Sequence, residues 1–183
     1  MPDSDDLTIE VKKLGDFFQD ASSLDKNSFA HSKARAFLLH HGPLGKLNLP
    51  DQVSGTMSTE GSGTTPDRPF NPRDDFLVFE VRAKDPGGEE KLYWVGRSED
   101  NDITIPDSSV SAIHAFIKQE GEDFFVQDMN SMNGTVVNDE KVPPQGMGEA
   151  AALRSGSRVT FGGVNLTFLL AAEFQALVTR LGS

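Results

Sequence analysis

Short runs of apolar residues, several of them alternating with polar ones, occupy the chain from residue 76 to residue 170. In the run 164–170, the residues Val164, Leu166, Phe168 and Leu170 stand at every second position, which is the period of a strand with one buried face. The other runs are 76–81, 92–95, 103–105, 115–118, 124–127 and 158–161. Turn-forming residues separate them, at Pro86-Gly87-Gly88, Gly121, Asn138-Asp139, Gly146 and Gly162-Gly163. Many short strands with no helix between them predict a mainly β fold, an antiparallel β-sandwich of two twisted sheets.

Three further segments are interpreted as helices. Residues 4–20 carry apolar residues at helical spacing after candidate N-caps, and predict a short amphipathic helix. The apolar segment 29–39 precedes Gly42-Pro43, a helix stop, although its end, 36–39, is equally compatible with a strand. The last segment, 171–181, has apolar residues at helical spacing and predicts a closing helix.

The composition changes between the N-terminal segments and the runs of strands. Residues 51–75 are rich in Ser, Thr, Gly, Pro and Asp, and only Val53, Met57 and Phe70 are strongly apolar. Such a segment buries too little apolar surface to offset the entropy cost of ordering it. The sequence therefore predicts a small, mostly helical segment over 1–50, a flexible linker over 51–75, and the sandwich with its C-terminal helix over 76–183.

Charge and composition narrow the classes of function. Acidic residues number 28 against 17 Lys and Arg, a net charge of −11, and such a surface repels nucleic acid and anionic membranes. The absence of cysteine excludes disulfides, thiol nucleophiles and thiolate metal sites. No apolar run has the length of a signal peptide or a membrane helix. We therefore expect a cytoplasmic protein that binds neither nucleic acid nor membrane.

Four groups of residues with phosphate-binding chemistry lie at turns of the predicted sandwich. They are Gly96-Arg97-Ser98 directly after a strand, Ser111-Ala112-Ile113-His114 before another, Ser131-Met132-Asn133-Gly134-Thr135 after Asp128, and Asn138 in the next turn. Arg97 supplies a planar charged fork that matches phosphate oxygens, and Ser111 supplies a short hydroxyl donor. Asn133 supplies an amide that both donates and accepts hydrogen bonds.

This order of residues resembles the forkhead-associated (FHA) domain, a phosphothreonine-recognition module, over about residues 75–170. The resemblance rests on Gly96-Arg97, on Ser111 with His114 three residues later, and on Asn133-Gly134-Thr135 with Asn138. It implies that Arg97 and Ser111 bind the phosphate and that Asn133 holds the peptide backbone beside the phosphothreonine. It also implies that Ser109 lies where such domains read the residue three positions after the phosphothreonine.

The resemblance implies supporting roles for other residues. Those that would shape and brace the loops are Gly96, His114, Gly134, Thr135 and Asn138. Met132 would lie beside the peptide, at a position where the family often has Thr or Ser, so that one phosphate donor is missing. Three acidic residues share the loops of Arg97 and Ser111: Asp100, Asp102 and Asp107. We therefore expect acidic peptides to be disfavoured and basic flanking residues to help.

Other interpretations of these residues are weaker. Arg97 could instead form a surface ion pair with Glu99, Asp100 or Asp102. Four histidines, His31, His40, His41 and His114, have no cysteine partners and no His-x3-His spacing, which disfavours a metal site. Ser111, His114 and Asp128 include the residue types of a hydrolase triad, but no Gly-x-Ser-x-Gly motif accompanies them. We therefore expect no enzyme activity, no cofactor and no metal.

Four threonines of the predicted linker, Thr56, Thr59, Thr64 and Thr65, are candidate phosphorylation sites. A phosphothreonine on this tether would have a high effective concentration at Arg97, in its own chain or in a neighbouring one. Ordinary solvation of a Thr-rich linker is the simpler interpretation.

These observations predict a non-enzymatic adaptor or scaffold. It would bind a phosphothreonine-containing protein, either a Ser/Thr kinase or a substrate of one, in a bacterial signalling pathway by analogy. The alternative is an FHA-fold scaffold that docks through its terminal helices without phosphate. Self-association, through the N-terminal segment or a phosphorylated linker, is a further expectation.

Overall fold

The computed structural model describes residues 11–25, 28–29, 34–40, 71, 76–84 and 91–182. The strands in these ranges are β1 (Lys12–Lys13), β2 (Ala36–His40), β3 (Leu77–Val81), β4 (Lys91–Gly96), β5 (Ile103–Thr104), β6 (Ala115–Glu120), β7 (Asp123–Asp128), β8 (Thr135–Val137), β9 (Glu140–Lys141), β10 (Ala151–Leu153), β11 (Arg158–Phe161) and β12 (Val164–Leu170). A 3-10 turn (Leu14–Phe17) leads into helix α1 (Phe18–Ser23), and helix α2 (Ala171–Gly182) follows β12.

The described strands form two sheets that pack face to face. One sheet has the order β1-β3-β2-β12-β11-β8-β9, and the other has the order β10-β7-β6-β4-β5. Neighbouring strands are antiparallel, except that β5 runs parallel to β4. Alternating side chains from both sheets fill the space between them, and the rings of Phe124 and Phe168 meet there with centroids 5.3 Å apart. The prediction of a mainly β sandwich with a C-terminal helix is confirmed.

A second apolar core lies on the outer face of the larger sheet. Phe37 of β2 stacks on Phe174 of α2 with ring centroids 4.0 Å apart, and Phe17 packs edge-on against both rings. The buried Gln175 side chain donates hydrogen bonds from Nε2 to the carbonyl oxygens of Ala21, at 3.1 Å, and of Leu24, at 2.7 Å. The two ends of the described chain thus form one layer over this sheet.

The predicted helix over 4–20 is confirmed at its end, where residues 14–17 form a 3-10 turn and residues 18–20 begin α1, and is wrong at Lys12–Lys13. Lys12 and Lys13 instead pair with Val78 and Leu77 at the edge of the sheet, and the Leu14 N–H donates to the Phe76 carbonyl. Pairing with the sheet edge supplies backbone partners that a helix would otherwise supply, and the following Gly15 is a poor helix former. Residues 1–10 lie outside the described residues.

For the segment 29–39, the strand alternative for 36–39 is confirmed and a helix there is wrong, because residues 36–40 form β2. This strand lies between β3 and β12, with Leu38 opposite Phe79 on one side and Phe168 on the other. Leu38 faces the core between the sheets, whereas Phe37 and Leu39 face the second core. A strand that is buried on both faces has no alternation to reveal it.

The predicted linker over 51–75 lies outside the described residues, apart from Asn71. The sheet takes strands from both sides of that segment, since β1 and β2 precede it and the other strands follow it. Within the described ranges, neither helix has the length and apolar character needed to span a bilayer.

Candidate functional site

Three loops meet at one end of the sandwich, around Ser111. The Arg97 N–H, directly after β4, donates to the Ser111 carbonyl at 2.9 Å. The Met132 N–H, in the loop after β7, donates to Ser111 Oγ at 3.0 Å. Ser111 itself lies in the loop before β6, so its two oxygens hold the other two loops in place.

Close approach between the first two loops depends on Gly96. A Cβ atom at this position would lie 2.2 Å from the Ala112 carbonyl oxygen, well inside van der Waals contact. The same carbonyl accepts hydrogen bonds from the Ser98 N–H at 3.1 Å and from Asn101 Nδ2 at 2.7 Å. Asn101 is 3% exposed and also donates to the Ser98 carbonyl at 2.7 Å. Asn101 was not predicted from the sequence, in which its one available signal was a short amide in the loop after Gly96-Arg97.

His114 is fully buried below Ser111. Its Nδ1 accepts a hydrogen bond from the Ser111 N–H at 3.0 Å, and its Nε2 lies 3.0 Å from the Gly134 carbonyl oxygen. Because Nδ1 accepts, Nε2 must carry the proton and donate to Gly134. Burial lowers the pKa of His114, and this effect outweighs the opposing influence of the Gly134 carbonyl and Asp128. A neutral imidazole therefore connects the loop of Ser111 to the loop of Gly134.

Asp128 fixes the conformation of the loop after β7. Its carboxylate accepts hydrogen bonds from the Ser131 N–H at 3.0 Å, the Ser131 hydroxyl at 2.6 Å and the Thr135 hydroxyl at 2.7 Å. Burial alone would raise the pKa of Asp128, but these donors and nearby His114 lower it below its ordinary value. Gly134 adopts a left-handed conformation, with φ of 83°, and donates its N–H to the Ser131 hydroxyl at 2.9 Å.

The exposed side chain of Asn133 connects the loop after β7 to the loop before β6. Its Nδ2 donates to the Ser109 carbonyl at 2.8 Å, and no described residue donates to its Oδ1. The Ser109 hydroxyl donates to the buried Asp107 carboxylate at 2.6 Å and accepts from the Gly163 N–H at 2.8 Å. Ser109 thus has partners for its carbonyl and its hydroxyl, and Asn133 retains one unused acceptor.

The Arg97 side chain is exposed and makes no ion pair or hydrogen bond with any described residue, so the alternative of a surface ion pair with Glu99, Asp100 or Asp102 is not observed. Three of the neighbouring acidic residues have other partners, and Asp100 accepts a hydrogen bond from the Ser98 hydroxyl at 3.2 Å. Asp102 accepts hydrogen bonds from the backbone N–H groups of Lys84 and Trp94, each at 2.8 Å. Asp107, only 3% exposed, accepts from the N–H and hydroxyl of Ser109. The guanidinium is therefore available to an external anion.

Asn138 lies in the hairpin between β8 and β9. Asn138 and Asp139 have φ values of 48° and 71°, the left-handed pair required by a type I′ turn. The Asn138 side chain accepts a hydrogen bond from the Arg158 N–H at 2.9 Å, and its own N–H donates to the Arg158 carbonyl at 2.9 Å. Asn138 thus connects the hairpin to β11.

The hydrolase interpretation does not fit this geometry. His114 contacts the backbone nitrogen of Ser111 rather than its hydroxyl, and that hydroxyl accepts the Met132 N–H. The described ranges hold no group of three histidine, aspartate or glutamate side chains arranged to bind a metal ion. His31, His41 and the four linker threonines lie outside the described residues.

The fold and these loops define a β-sandwich recognition module whose candidate site lies on strand-connecting loops at one end. Residues 93–162 match the family model of the FHA domain. The resemblance found in the sequence is thereby confirmed.

Known bacterial proteins are similar to this part of the chain. It is 42% identical over 74 residues to the glycogen accumulation regulator GarA of Mycolicibacterium smegmatis, covering 40% of this chain and 43% of GarA. It is 36% identical over 81 residues to the oxoglutarate dehydrogenase inhibitor of Corynebacterium jeikeium, covering 44% of this chain and 52% of that protein. The chain thus spans about half the length of these curated relatives. A solved structure of Mycobacterium tuberculosis EmbR with a low-affinity phosphopeptide aligns at 30% identity and a TM-score of 0.40, over 44% of this chain and 20% of EmbR.

Proposed function

We propose that this protein binds phosphothreonine through Arg97 and Ser111. The observation that carries the proposal is an exposed guanidinium, without a partner among the described residues, beside a serine that hydrogen bonds hold between two loops. A planar guanidinium donates paired hydrogen bonds to phosphate oxygens, and its charge persists at any physiological pH. The hydroxyl of Ser111 would add a further donor.

Asn133 would hold the main chain of the bound peptide. Its Nδ2 is tied to Ser109, so its orientation is fixed, and its Oδ1 is available to accept a peptide N–H. Ser109 would contact the third residue after the phosphothreonine. Because its hydroxyl already has two partners, Ser109 would offer surface rather than an unused donor.

The remaining loop residues would pre-organise the site. Gly96 and His114 let the three loops come together before any peptide arrives. Gly134 and Thr135 fix the loop after β7, and Asn138 fixes the neighbouring hairpin. A site that is already ordered loses less entropy on binding. We expect an affinity on the order of micromolar for a short phosphopeptide, since few groups become buried.

At the level of the whole protein, we propose a regulatory adaptor without catalytic activity in a bacterial cytoplasm. The similar proteins are named as a regulator and an inhibitor rather than as enzymes. A Ser/Thr kinase would control the association by phosphorylating the partner, which would be the kinase itself or one of its substrates. The linker threonines would be a further source of phosphothreonine, within the chain or between copies.

The alternative, docking through the terminal helices without phosphate, receives less support. Phe17 of the N-terminal layer and Phe174 and Val178 of α2 are buried against each other and the sheet. Their apolar faces are thus already covered within the chain.

Calorimetric titration with a degenerate phosphothreonine peptide library, beside its unphosphorylated counterpart, tests the proposal. Wild type should bind only the phosphorylated library, and Arg97→Ala should lose this binding. Arg154→Ala is the matched control. Arg154 is an exposed arginine in the turn before β11, whereas Gly163, which bonds to Ser109 at the candidate site, follows the other end of that strand. Equal binding of both libraries, or no effect of Arg97→Ala, would overturn the proposal.

A further inference from the structure

Large apolar side chains are exposed at few of the described positions. Those that are exposed are Trp94 at 37%, Ile113 at 56%, Met132 at 89% and Met147 at 79%. Two of them, Ile113 and Met132, adjoin Ser111. Exposed apolar side chains beside a proposed binding site offer surface that a ligand would remove from water.

Hydrogen bonds hold the backbone in place at both residues. Met132 N–H is bonded to Ser111 Oγ, and the next residue, Asn133, is bonded to Ser109. Ile113 lies between Ala112, whose carbonyl accepts from Asn101 Nδ2, and His114, whose N–H donates to the Val95 carbonyl at 2.9 Å. Neither residue can turn its loop inward to bury its side chain without breaking these bonds.

The two residues approach Ser111 from different loops. Ile113 follows it in the loop before β6, and Met132 reaches it from the loop after β7. We call this pair of side chains the apolar rim. A chain bound with its phosphate at Arg97 and Ser111 would pass beside the rim.

We infer that the apolar rim receives an apolar side chain of the bound peptide, next to the phosphothreonine. The inference rests on the proposed function and adds to it a class of preferred ligand: a phosphothreonine flanked by an aliphatic or aromatic residue. An anionic membrane is a poor occupant, because the net charge is −11.

This preference would compensate for a donor that the loop lacks. Met132 has no hydroxyl to offer a phosphate, but its flexible thioether side chain adapts to apolar surfaces of varied shape. The site would thus make one phosphate contact fewer, but it would select among phosphorylated sequences by their apolar residues.

A positional scan tests the inference. Phosphothreonine peptides carry Leu, Phe, Ser or Asp at one varied position from four before to four after the phosphothreonine, on an Ala background. At one or two positions, wild type should bind Leu or Phe peptides about tenfold more tightly than Ser peptides. Met132→Ser and Ile113→Ser should each reduce this ratio while leaving binding dependent on phosphate. Both side chains are exposed, so neither substitution removes core packing.

Met147→Ser is the matched control. Met147 is almost as exposed as Met132, but it lies between β9 and β10 and has no hydrogen bond to Ser111 or Asn133. Its substitution should leave the apolar preference intact. Phosphate-dependent binding with no apolar preference at any position, or a preference that both rim variants keep, would overturn the inference and leave the proposed function standing. Absence of phosphate-dependent binding by folded wild type would overturn both.

Discussion

The Nδ1 atom of His114 lies 3.0 Å from the backbone nitrogen of Ser111, and the opposite ring nitrogen donates to Gly134. One neutral imidazole therefore spans two loops that are 20 residues apart along the chain. The backbone of Ser111, a proposed phosphate ligand, is thus held by a buried residue that would not contact the phosphate.

Replacing His114 with Leu should destabilise the protein by about 2–4 kcal/mol. The substitution leaves a part-buried N–H at Ser111 and a part-buried carbonyl at Gly134 without their partner, and each such loss costs about 1–3 kcal/mol. Urea denaturation of both proteins measures the difference. A loss well below 1 kcal/mol would contradict the bridging role.

Stability should also depend on pH through His114. In the unfolded chain its pKa is about 6.5, and burial lowers its pKa in the folded state. The unfolded state then binds more protons, so the contribution is fully present above about pH 6.5 and declines as the pH falls below that value. The free energy of unfolding between pH 8 and pH 5 should fall more for wild type than for His114→Gln. An identical pH dependence in the two proteins would argue against the buried neutral ring.

Gly96→Ala should separate the first two loops. The added Cβ would lie 2.2 Å from the Ala112 carbonyl, so we expect a loss of about 1–3 kcal/mol in stability together with weaker phosphopeptide binding. Gly121→Ala serves for comparison. Gly121 has open space around it but a φ of 62°, so its substitution should cost about 1 kcal/mol without affecting the affinity for peptide. Equal affinities in Gly96→Ala and wild type would show that loop spacing does not matter.

Arg97→Lys separates charge from shape at the proposed phosphate site. Lysine keeps the positive charge but lacks the planar fork that donates to two phosphate oxygens. We expect about tenfold weaker binding of a phosphothreonine peptide, and an unchanged melting temperature because the Arg97 side chain has no partner among the described residues. Full affinity in Arg97→Lys would indicate that the guanidinium acts only as a point charge.

Asn133→Asp and Asn138→Asp form a matched pair that adds the same charge in neighbouring turns. The Asn133 amide donates to the Ser109 carbonyl, which an aspartate would repel, as it would an incoming phosphate. Asn138 accepts from the Arg158 N–H through Oδ1, which an aspartate can still do. Titration should therefore show more than about tenfold weaker peptide binding for Asn133→Asp and little change for Asn138→Asp. Similar losses in both variants would point to net charge alone.

Local patterns in the sequence revealed most of the sandwich and the groups that carry phosphate chemistry. The alternation of apolar and polar residues predicted strands such as β12, which have one face in the core. The Asn138-Asp139 hairpin was predicted from its turn residues. The sequence left β2 open between helix and strand because it is apolar on both faces. Whether a short apolar run becomes a helix or a strand depends on partners that are distant in sequence.

The supporting polar residues were harder to predict than the ligands themselves. Asn101 and Asp107 are buried because the carbonyls and donors that satisfy them come together only after the loops have folded. The sequence places acidic residues near Arg97, but it does not show that Asp102 and Asp107 are occupied by hydrogen bonds within the loops.

The position of β2 has a consequence for any shortened form of this protein. Without residues 36–40, the facing edges of β3 and β12 would lose their backbone partners, and exposed edges of this kind favour pairing between molecules. Phe174 would at the same time lose the ring on which it stacks. A fragment beginning at residue 76 would retain every proposed phosphate ligand and yet be prone to aggregation.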